Sequence, residues 1–172
     1  RTAACVIGDR LIWLSLCATL AFAALAGFSE VYLRAEGMGV LDGRRWGYDL
    51  AEARAYLAAL SPEQTALYLG QFRLADTAFP ALLALALLLW FRRWSAGGLR
   101  LALTLAVALY LGADYTENML IARLAELGPE RLTEQAVATA SLFTQVKWTI
   151  LAACFGAALL LGLRARNERN VQ

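Results

Sequence analysis

Apolar residues are concentrated in four stretches of this chain, at 11–28, 79–91, 101–113 and 148–163, each with charged residues at one end. A bilayer core of about 30 Å requires roughly 20 helical residues at about 1.5 Å each. The two middle stretches are too short, because they supply only about 20 Å of helix. Their helices must complete the crossing with adjacent polar residues, and charges inside a membrane are costly unless paired or hydrated. This pattern predicts a small multi-pass membrane protein with a polar cluster.

The four stretches and their flanks predict an all-α fold, an integral-membrane four-helix bundle formed as one domain by residues 1–172. The same hydropathy pattern predicts the approximate spans 10–33, 73–93, 99–121 and 143–164. Arg10 and the apolar run after it also resemble a secretory signal, but the run exceeds a typical signal core of about 7–15 residues. We therefore interpret it as an uncleaved first span.

Between the first two spans, residues 35–72 are expected to form an extracytoplasmic loop and helix. Residues 35–48 carry four glycines and mixed charge, which predicts an irregular loop. Residues 49–60 then predict a short amphipathic helix, because their apolar side chains recur at helical spacing, at Leu50, Ala53, Leu57 and Leu60. This helix would lie on the membrane surface or over the bundle, or simply pack against the bundle end.

Local signals predict where the long helices begin and end. Ser61 and Gln64 form a capping box around Pro62, which starts a helix expected to continue to Arg93 with a kink near Pro80. Further signals are an N-cap at Asp9 for the first helix, a stop at Gly128-Pro129 for the third and a cap at Thr133 for the fourth.

Composition removes several classes of function. The chain has no histidine, which excludes His-ligated haem and every Ser-His or Cys-His catalytic arrangement. Three cysteines without a CxxC motif predict no redox site. Any metal would have to be a hard cation on carboxylates, and we predict no metal and no cofactor. A net charge of +2 without basic runs argues against nucleic acid as a partner.

Basic residues are unevenly distributed between the two ends of the predicted bundle. They cluster before the first span, in the 92–100 turn and after the last span, whereas acidic residues dilute them in the other loops. The positive-inside rule therefore places the N- and C-termini in the cytoplasm. Fifteen arginines against one lysine, with abundant Ala and Leu, fit a GC-rich bacterial genome. We expect a multi-pass protein of the bacterial inner membrane.

Measured from the cytoplasmic arginines, ionisable residues on all four helices lie at a similar depth of about 21–30 Å. Helical spacing also places Asp114, Glu117 and Asn118 on one face of the third helix. Asp114, Glu117 and Asp76 are candidate catalytic residues. The predicted binding site comprises Arg73, Asp76, Tyr110, Asp114, Glu117, Asn118, Gln145 and Lys147, with Glu30 at the same depth on the first helix.

The charges in this layer do not balance. Glu30, Asp76, Asp114 and Glu117 contribute four negative charges against two positive ones on Arg73 and Lys147. An excess of carboxylate indicates that one is protonated or that a cation binds. Two structural alternatives are open: an ion-paired network that fixes helix register, or surface pairs at the headgroup level.

Several short motifs carry a resemblance: Gly47-Tyr48 before an Ala/Leu helix, Tyr68, Asp76 leading into Phe79-Pro80, and Asp114-x-x-Glu117-Asn118. In these motifs, over most of residues 45–120, the chain resembles a group of small four-span bacterial inner-membrane proteins. The resemblance implies the four-helix layout and singles out the Asp-x-x-Glu-Asn motif and Asp76. It brings no activity with it.

The chain is also similar in size and span number to lipoprotein signal peptidase, a four-span aspartyl protease. That similarity implies a proton-sharing pair at Asp76 and Asp114. The asparagine-containing motifs around that family's aspartates are missing from this chain, and Lys147 or Arg73 would hold both carboxylates ionised.

These observations favour a protein that binds a membrane lipid or small amphiphile in an outer-leaflet pocket, or an accessory subunit that contacts another membrane protein. One alternative is a membrane-embedded enzyme with a carboxylate pair, lipid-directed or protease-like. Another is a proton- or cation-coupled transporter, although the cytoplasmic half of the bundle offers few polar residues beyond Ser15, Thr19 and Thr104.

Overall fold

The computed structural model describes residues 3–170, with side chains described for residues 11–167. Four long helices dominate this part of the chain, as predicted, and a short helix lies between the first two. The helices are α1 (Ala3–Tyr32), α2 (Leu50–Ala59), α3 (Pro62–Leu67), α4 (Arg73–Trp94), α5 (Gly97–Leu127) and α6 (Glu134–Asn170). The short helix is α2, and the second long helix consists of α3, a π-helical turn and α4.

Four segments are long and apolar enough to cross a membrane: Leu11–Tyr32, Pro62–Trp94, Gly97–Leu127 and Glu134–Asn167. Large apolar side chains project outward from them. On α5, for example, Leu101, Leu105 and Leu109 recur at every fourth position and are all exposed. A continuous apolar exterior of this kind is typical of a surface that faces lipid. The prediction of an all-α, multi-pass four-helix bundle is therefore confirmed.

The four long helices pack against one another to different extents. α5 and α6 form the most extensive pair, and α4 packs against α1, α5 and α6. α1 packs mainly against α4, and no comparable packing joins it to α5 or α6 in the described part of the chain. A gap between α1 and α6 follows from this arrangement.

Two hydrophobic clusters divide the interior along the bundle axis. One cluster, around Tyr56, Tyr68 and Ile121, fills the end that carries the interhelical loops. The other, around Leu87 and Val107, fills the opposite end. On α4, α5 and α6 the polar residues lie between members of the two clusters. The polar layer is therefore enclosed by packed protein at both ends and does not lie on the bundle surface.

The segment between α1 and α2 covers one end of the bundle. The predicted short helix is confirmed as α2, which begins with a capping box between Asp49 and Glu52. Its apolar face packs on the bundle, since Ala53, Tyr56 and Leu57 are buried. The Tyr56 hydroxyl donates a hydrogen bond to the Leu33 carbonyl at 3.1 Å. Burial raises the pKa of Tyr56 above its usual range, so this donor keeps its proton at neutral pH.

The predicted helix boundaries agree with the structure at most positions. The Ser61–Gln64 capping box is confirmed. The cap at Thr133 is confirmed as well, because its Oγ1 accepts from the Ala136 amide at 3.3 Å. The N-cap at Asp9 was a wrong prediction, because α1 already begins at Ala3. The second long helix is continuous, but residues Tyr68–Phe72 form a π-helical turn between α3 and α4 that the sequence analysis did not predict.

Gly47 fixes the path of the loop that precedes α2. Its φ of +86° lies in the region that favours glycine, and a Cβ atom there would lie 2.5 Å from Gln145 Nε2 and 2.7 Å from Ser141 Oγ. Close approach to α6 lets the Tyr48 amide donate to Ser141 Oγ at 2.9 Å. In a second hydrogen bond between α6 and the loop, Trp148 Nε1 donates to the Asp42 carbonyl at 3.0 Å. The loop is thereby attached to α6.

Candidate functional site

A buried ion pair joins α5 to α6 at the centre of the polar layer. Lys147 Nζ pairs with Glu117 Oε2 and lies 3.8 Å from Asp114 Oδ2. Thr144, one helical turn before Lys147, donates to Glu117 Oε1 at 2.6 Å. The Glu117 side chain is 0% exposed. Because this carboxylate has no access to water, its charge is balanced by Lys147.

Asn118 forms three hydrogen bonds, two of which link α5 to α4. Its Oδ1 accepts from the Arg73 guanidinium at 2.7 Å. Its Nδ2 donates to Asp114 Oδ1 at 3.2 Å and to the Asp76 backbone carbonyl at 3.3 Å. The last bond has a local cause in Pro80. Proline has no N–H, so the carbonyl four residues earlier, that of Asp76, lacks its helical donor and takes one from Asn118.

Arg73 is the second cation of the layer. Its guanidinium lies 3.4 Å from Asp76 Oδ2 and 5.1 Å from the centre of the Tyr68 ring. Only 13% of the Arg73 side chain is exposed. The hypothesis of a headgroup-level surface pair therefore does not fit Arg73, which is held inside the bundle by the π-helical turn and Asn118.

Asp42 belongs to this site but was not among the predicted residues. It lies in a 3₁₀ turn, Leu41–Gly43, within the segment whose glycines and mixed charge predict an irregular loop. Its residue exposure is 6%, and its Oδ1 atom has no hydrogen-bond partner among the described residues. No sequence motif marks Asp42. Its position follows from the attachment of the loop to α6.

The structure brings seven of the predicted residues together: Arg73, Asp76, Tyr110, Asp114, Glu117, Asn118 and Lys147. Gln145 is placed elsewhere, since it is exposed on α6 and contacts the loop at Gly47. Glu30 also lies outside the layer. It pairs with Arg34 at 2.7 Å while 58% of its side chain is exposed. The expectation that all four long helices contribute ionisable groups to the layer is corrected accordingly, because the described part of α1 contributes none.

Negative charges outnumber positive ones among the buried side chains of the polar layer. Asp42 takes the place of Glu30, so four carboxylates, those of Asp42, Asp76, Asp114 and Glu117, face the two cations Arg73 and Lys147. Within the described residues no group of three or more acidic or cysteine side chains is arranged to hold a metal ion.

A cleft of about 950 Å³ occupies the gap between α1 and α6 and reaches the polar layer. One end is polar and includes Asp42, Asp76, Asp114 and Lys147, together with the buried Tyr110. Glu30, Arg44 and Arg45 line the same end. The remaining walls are mostly apolar and include Phe22, Phe79, Leu83, Leu87, Trp90, Leu151, Phe155 and Leu159.

The cleft extends across most of a bilayer core of about 30 Å. Along α6 its lining residues run from Lys147 to Leu163, a helical distance of about 24 Å. Phe155 is 50% exposed although it lines the cleft, so the apolar part opens sideways between α1 and α6. A molecule dissolved in the bilayer could therefore enter without crossing water.

The two aspartates of the suspected protease pair are each engaged with separate groups. Asp76 contacts Arg73, whereas Asp114 contacts Lys147 and accepts from Asn118. A pair that shares one proton requires two carboxylates that compete for it without such cations. Among the described residues no hydrogen bond joins the two carboxylates, so the arrangement does not match a pair that shares one proton.

No protein-family model, no curated protein and no solved structure matches this chain.

Proposed function

We propose that this protein binds one membrane amphiphile, such as a lipid, with its alkyl chain in the cleft and its polar head at the polar layer. The observation that supports this most directly is the shape of the cleft. Its walls are apolar for most of about 24 Å, its side is open to lipid, and its end is charged. Apolar surface with a few convergent polar groups at one end matches the chemistry of a single amphiphile.

The bacterial inner membrane is the proposed location, with both termini in the cytoplasm. Arg92, Arg93 and Arg100 flank the connection from α4 to α5, and Arg164 and Arg166 lie near the end of α6. The positive-inside rule assigns this end to the cytoplasm. The polar end of the cleft then lies in the outer leaflet, where an amphiphile would hold its head.

Transport of ions or protons through the bundle is less well supported than binding. Toward the proposed cytoplasmic end the cleft is lined by Ser15 and Thr19 as polar residues, and Thr19 Oγ1 donates to the Ser15 carbonyl at 2.9 Å. The Thr19 hydroxyl is thus bonded to the backbone of its own helix, and neither residue extends the polar layer. Binding from the side requires no such pathway.

Filling the cleft should abolish amphiphile binding. Ala158 lines the cleft on α6, so Ala158→Phe would place a ring where an alkyl chain is expected to lie. Native mass spectrometry of protein purified in a mild uncharged detergent should show one bound amphiphile per wild-type chain and none on Ala158→Phe.

Ala152→Phe is the matched control. Ala152 is an exposed residue of α6 outside the cleft lining, so the same added ring would face lipid there. This variant should keep its amphiphile. Equal occupancy in all three proteins, with equal melting temperatures, or a wild type that carries nothing, would refute the proposal.

A further inference from the structure

The carboxylate of Asp42 is the buried charge with the fewest internal partners. The residue is 6% exposed, its Oδ1 atom has no hydrogen-bond partner among the described residues, and it lines the polar end of the cleft. Burial of an isolated carboxylate is strongly unfavourable unless a positive charge or donor compensates it. Because no described cation forms an ion pair with this carboxylate and the residue lines the cleft, the compensating group is expected to come from the cleft.

The cations nearest the site are already occupied. Lys147 pairs with Glu117 and lies next to Asp114. Arg73 is held by Asn118 and Asp76 and does not line the cleft. Both cations therefore contact residues of α4 or α5, and neither forms an ion pair with Asp42 in the described structure.

The two arginines of the loop are also engaged. The Arg44 guanidinium donates to the Gly39 carbonyl at 3.1 Å and lies 5.7 Å from the centre of the Tyr56 ring. The Arg45 guanidinium lies 6.0 Å from the centre of the Trp148 ring. These contacts direct both guanidinium groups toward aromatic faces and leave the Asp42 carboxylate without an ion pair.

Given the amphiphile-binding function proposed above, we infer that the head of the bound amphiphile is cationic, an alkylammonium group seated against Asp42, Asp76 and Asp114. All three carboxylates line the cleft, and among the buried residues described along its walls Lys147 is the only cation, whereas Arg44 and Arg45 line it without being buried. A bound ammonium would pair with the Asp42 carboxylate, which forms no ion pair with a described residue, and would reduce the excess of negative charge among the buried side chains. The alkyl chain would leave along the apolar walls.

Amphiphiles that share a dodecyl chain and differ only in the head test this inference. The probes are dodecylammonium and dodecyl sulfate, titrated onto the protein in an excess of dodecyl maltoside, with one-to-one complexes counted by native mass spectrometry. Wild type should bind dodecylammonium saturably and in preference to dodecyl sulfate. Asp42→Asn should weaken dodecylammonium binding by about tenfold to a hundredfold, the range typical of a lost hydrogen bond to a charged group.

Asp49→Asn is the matched control, because it removes the same charge from the N-cap of α2, outside the cleft lining. Asparagine caps a helix as well as aspartate does, so folding should be unaffected. This variant should bind dodecylammonium like wild type. The empty Asp42→Asn protein should also melt at a higher temperature than empty wild type, because its uncompensated buried charge is gone.

The possible results distinguish the cationic head from amphiphile binding itself. Dodecyl sulfate bound as tightly as dodecylammonium, or unchanged dodecylammonium binding in Asp42→Asn, would overturn the cationic head and leave amphiphile binding intact. Absence of saturable binding by either probe and of any amphiphile carried from the membrane would overturn both. A lower melting temperature for Asp42→Asn would show that the protein itself compensates the carboxylate, and would likewise overturn the inference.

Discussion

Replacement of Lys147 by Met is expected to destabilise the protein more than any other single substitution in the polar layer. The change would leave the Glu117 carboxylate, which is 0% exposed, without its cation. Removal of one member of a buried ion pair typically costs about 3–5 kcal/mol. The expected result is a large loss of folded protein in membranes and, for what remains, a free energy of unfolding lower by about that amount.

A second substitution should reverse much of this loss. In Lys147→Met/Glu117→Gln the buried charge is removed together with its partner, and the amide oxygen can still accept from Thr144. The double variant should regain more than half of the lost stability. Arg164→Met is the matched control, because it removes an exposed positive charge from the same helix. If Lys147→Met unfolds at the same temperature as Arg164→Met, the buried pair does not stabilise the bundle.

Replacement of Asn118 by Leu should cost about 3 kcal/mol, since it leaves buried polar groups without a partner at about 1–3 kcal/mol each. Leucine cannot accept from Arg73 or donate to Asp114 and the Asp76 carbonyl. The expected result is a lower free energy of unfolding with the helical content retained, measured by circular dichroism during thermal melting in one detergent.

Pro80 offers a specific test of the bond to the Asp76 carbonyl. In a Pro80→Ala background, residue 80 has an N–H that can donate to this carbonyl within the helix. Asn118→Leu should therefore cost about 1 kcal/mol less in that background than in wild type. Strictly additive effects of the two substitutions would show that the missing N–H of Pro80 is not the reason why Asn118 bonds to this carbonyl.

Much of the fold was predictable because its determinants are local. Apolar runs define the long helices, and the Ser61 capping box and the Gly128 stop lie within a few residues of the ends they determine. The Asp-x-x-Glu-Asn motif was predictable for the same reason, since residues three and four apart share a helix face. The π-helical turn at Tyr68–Phe72 was missed because no start or stop residue marks it.

Glu30 and Gln145 lie apart from the ion-paired residues for a different reason. Depth along a helix can be estimated from residue counts, but the direction of a side chain around the axis also depends on packing. Glu30 has the expected depth, yet 58% of its side chain is exposed and it pairs with Arg34, because α1 packs mainly against α4. Gln145 lies two residues from Lys147, and residues at that spacing do not face the same side of a helix.

Asp42 could not be predicted from the sequence, because its position depends on contacts between distant segments. The loop reaches the polar layer through hydrogen bonds to Ser141 and Trp148, about a hundred residues further along the chain. Gly47 permits the close approach. A loop placed by such long-range contacts is beyond inference from periodicity or motifs, and loops often carry functional residues on a rigid scaffold.

The polar layer thus contains two kinds of charged groups. The Glu117–Lys147 pair and the Asn118–Arg73 hydrogen bond link α4, α5 and α6, although Nε and Nη2 of Arg73 have no hydrogen-bond partner among the described residues. Asp42, supplied by the loop, remains unpartnered at the end of the cleft. We infer that the first group maintains the shape of the site and that the second is available to a ligand.

Photo-crosslinking would establish whether an amphiphile occupies the cleft between α1 and α6. Dodecylammonium with a diazirine on its alkyl chain would be irradiated with the protein, and labelled residues identified by peptide mass spectrometry. We predict saturable labelling of cleft residues such as Phe79, Leu83 and Leu151, abolished in Ala158→Phe. Labelling confined to outward-facing residues such as Leu105 and Leu109, without saturation, would contradict amphiphile binding in the cleft.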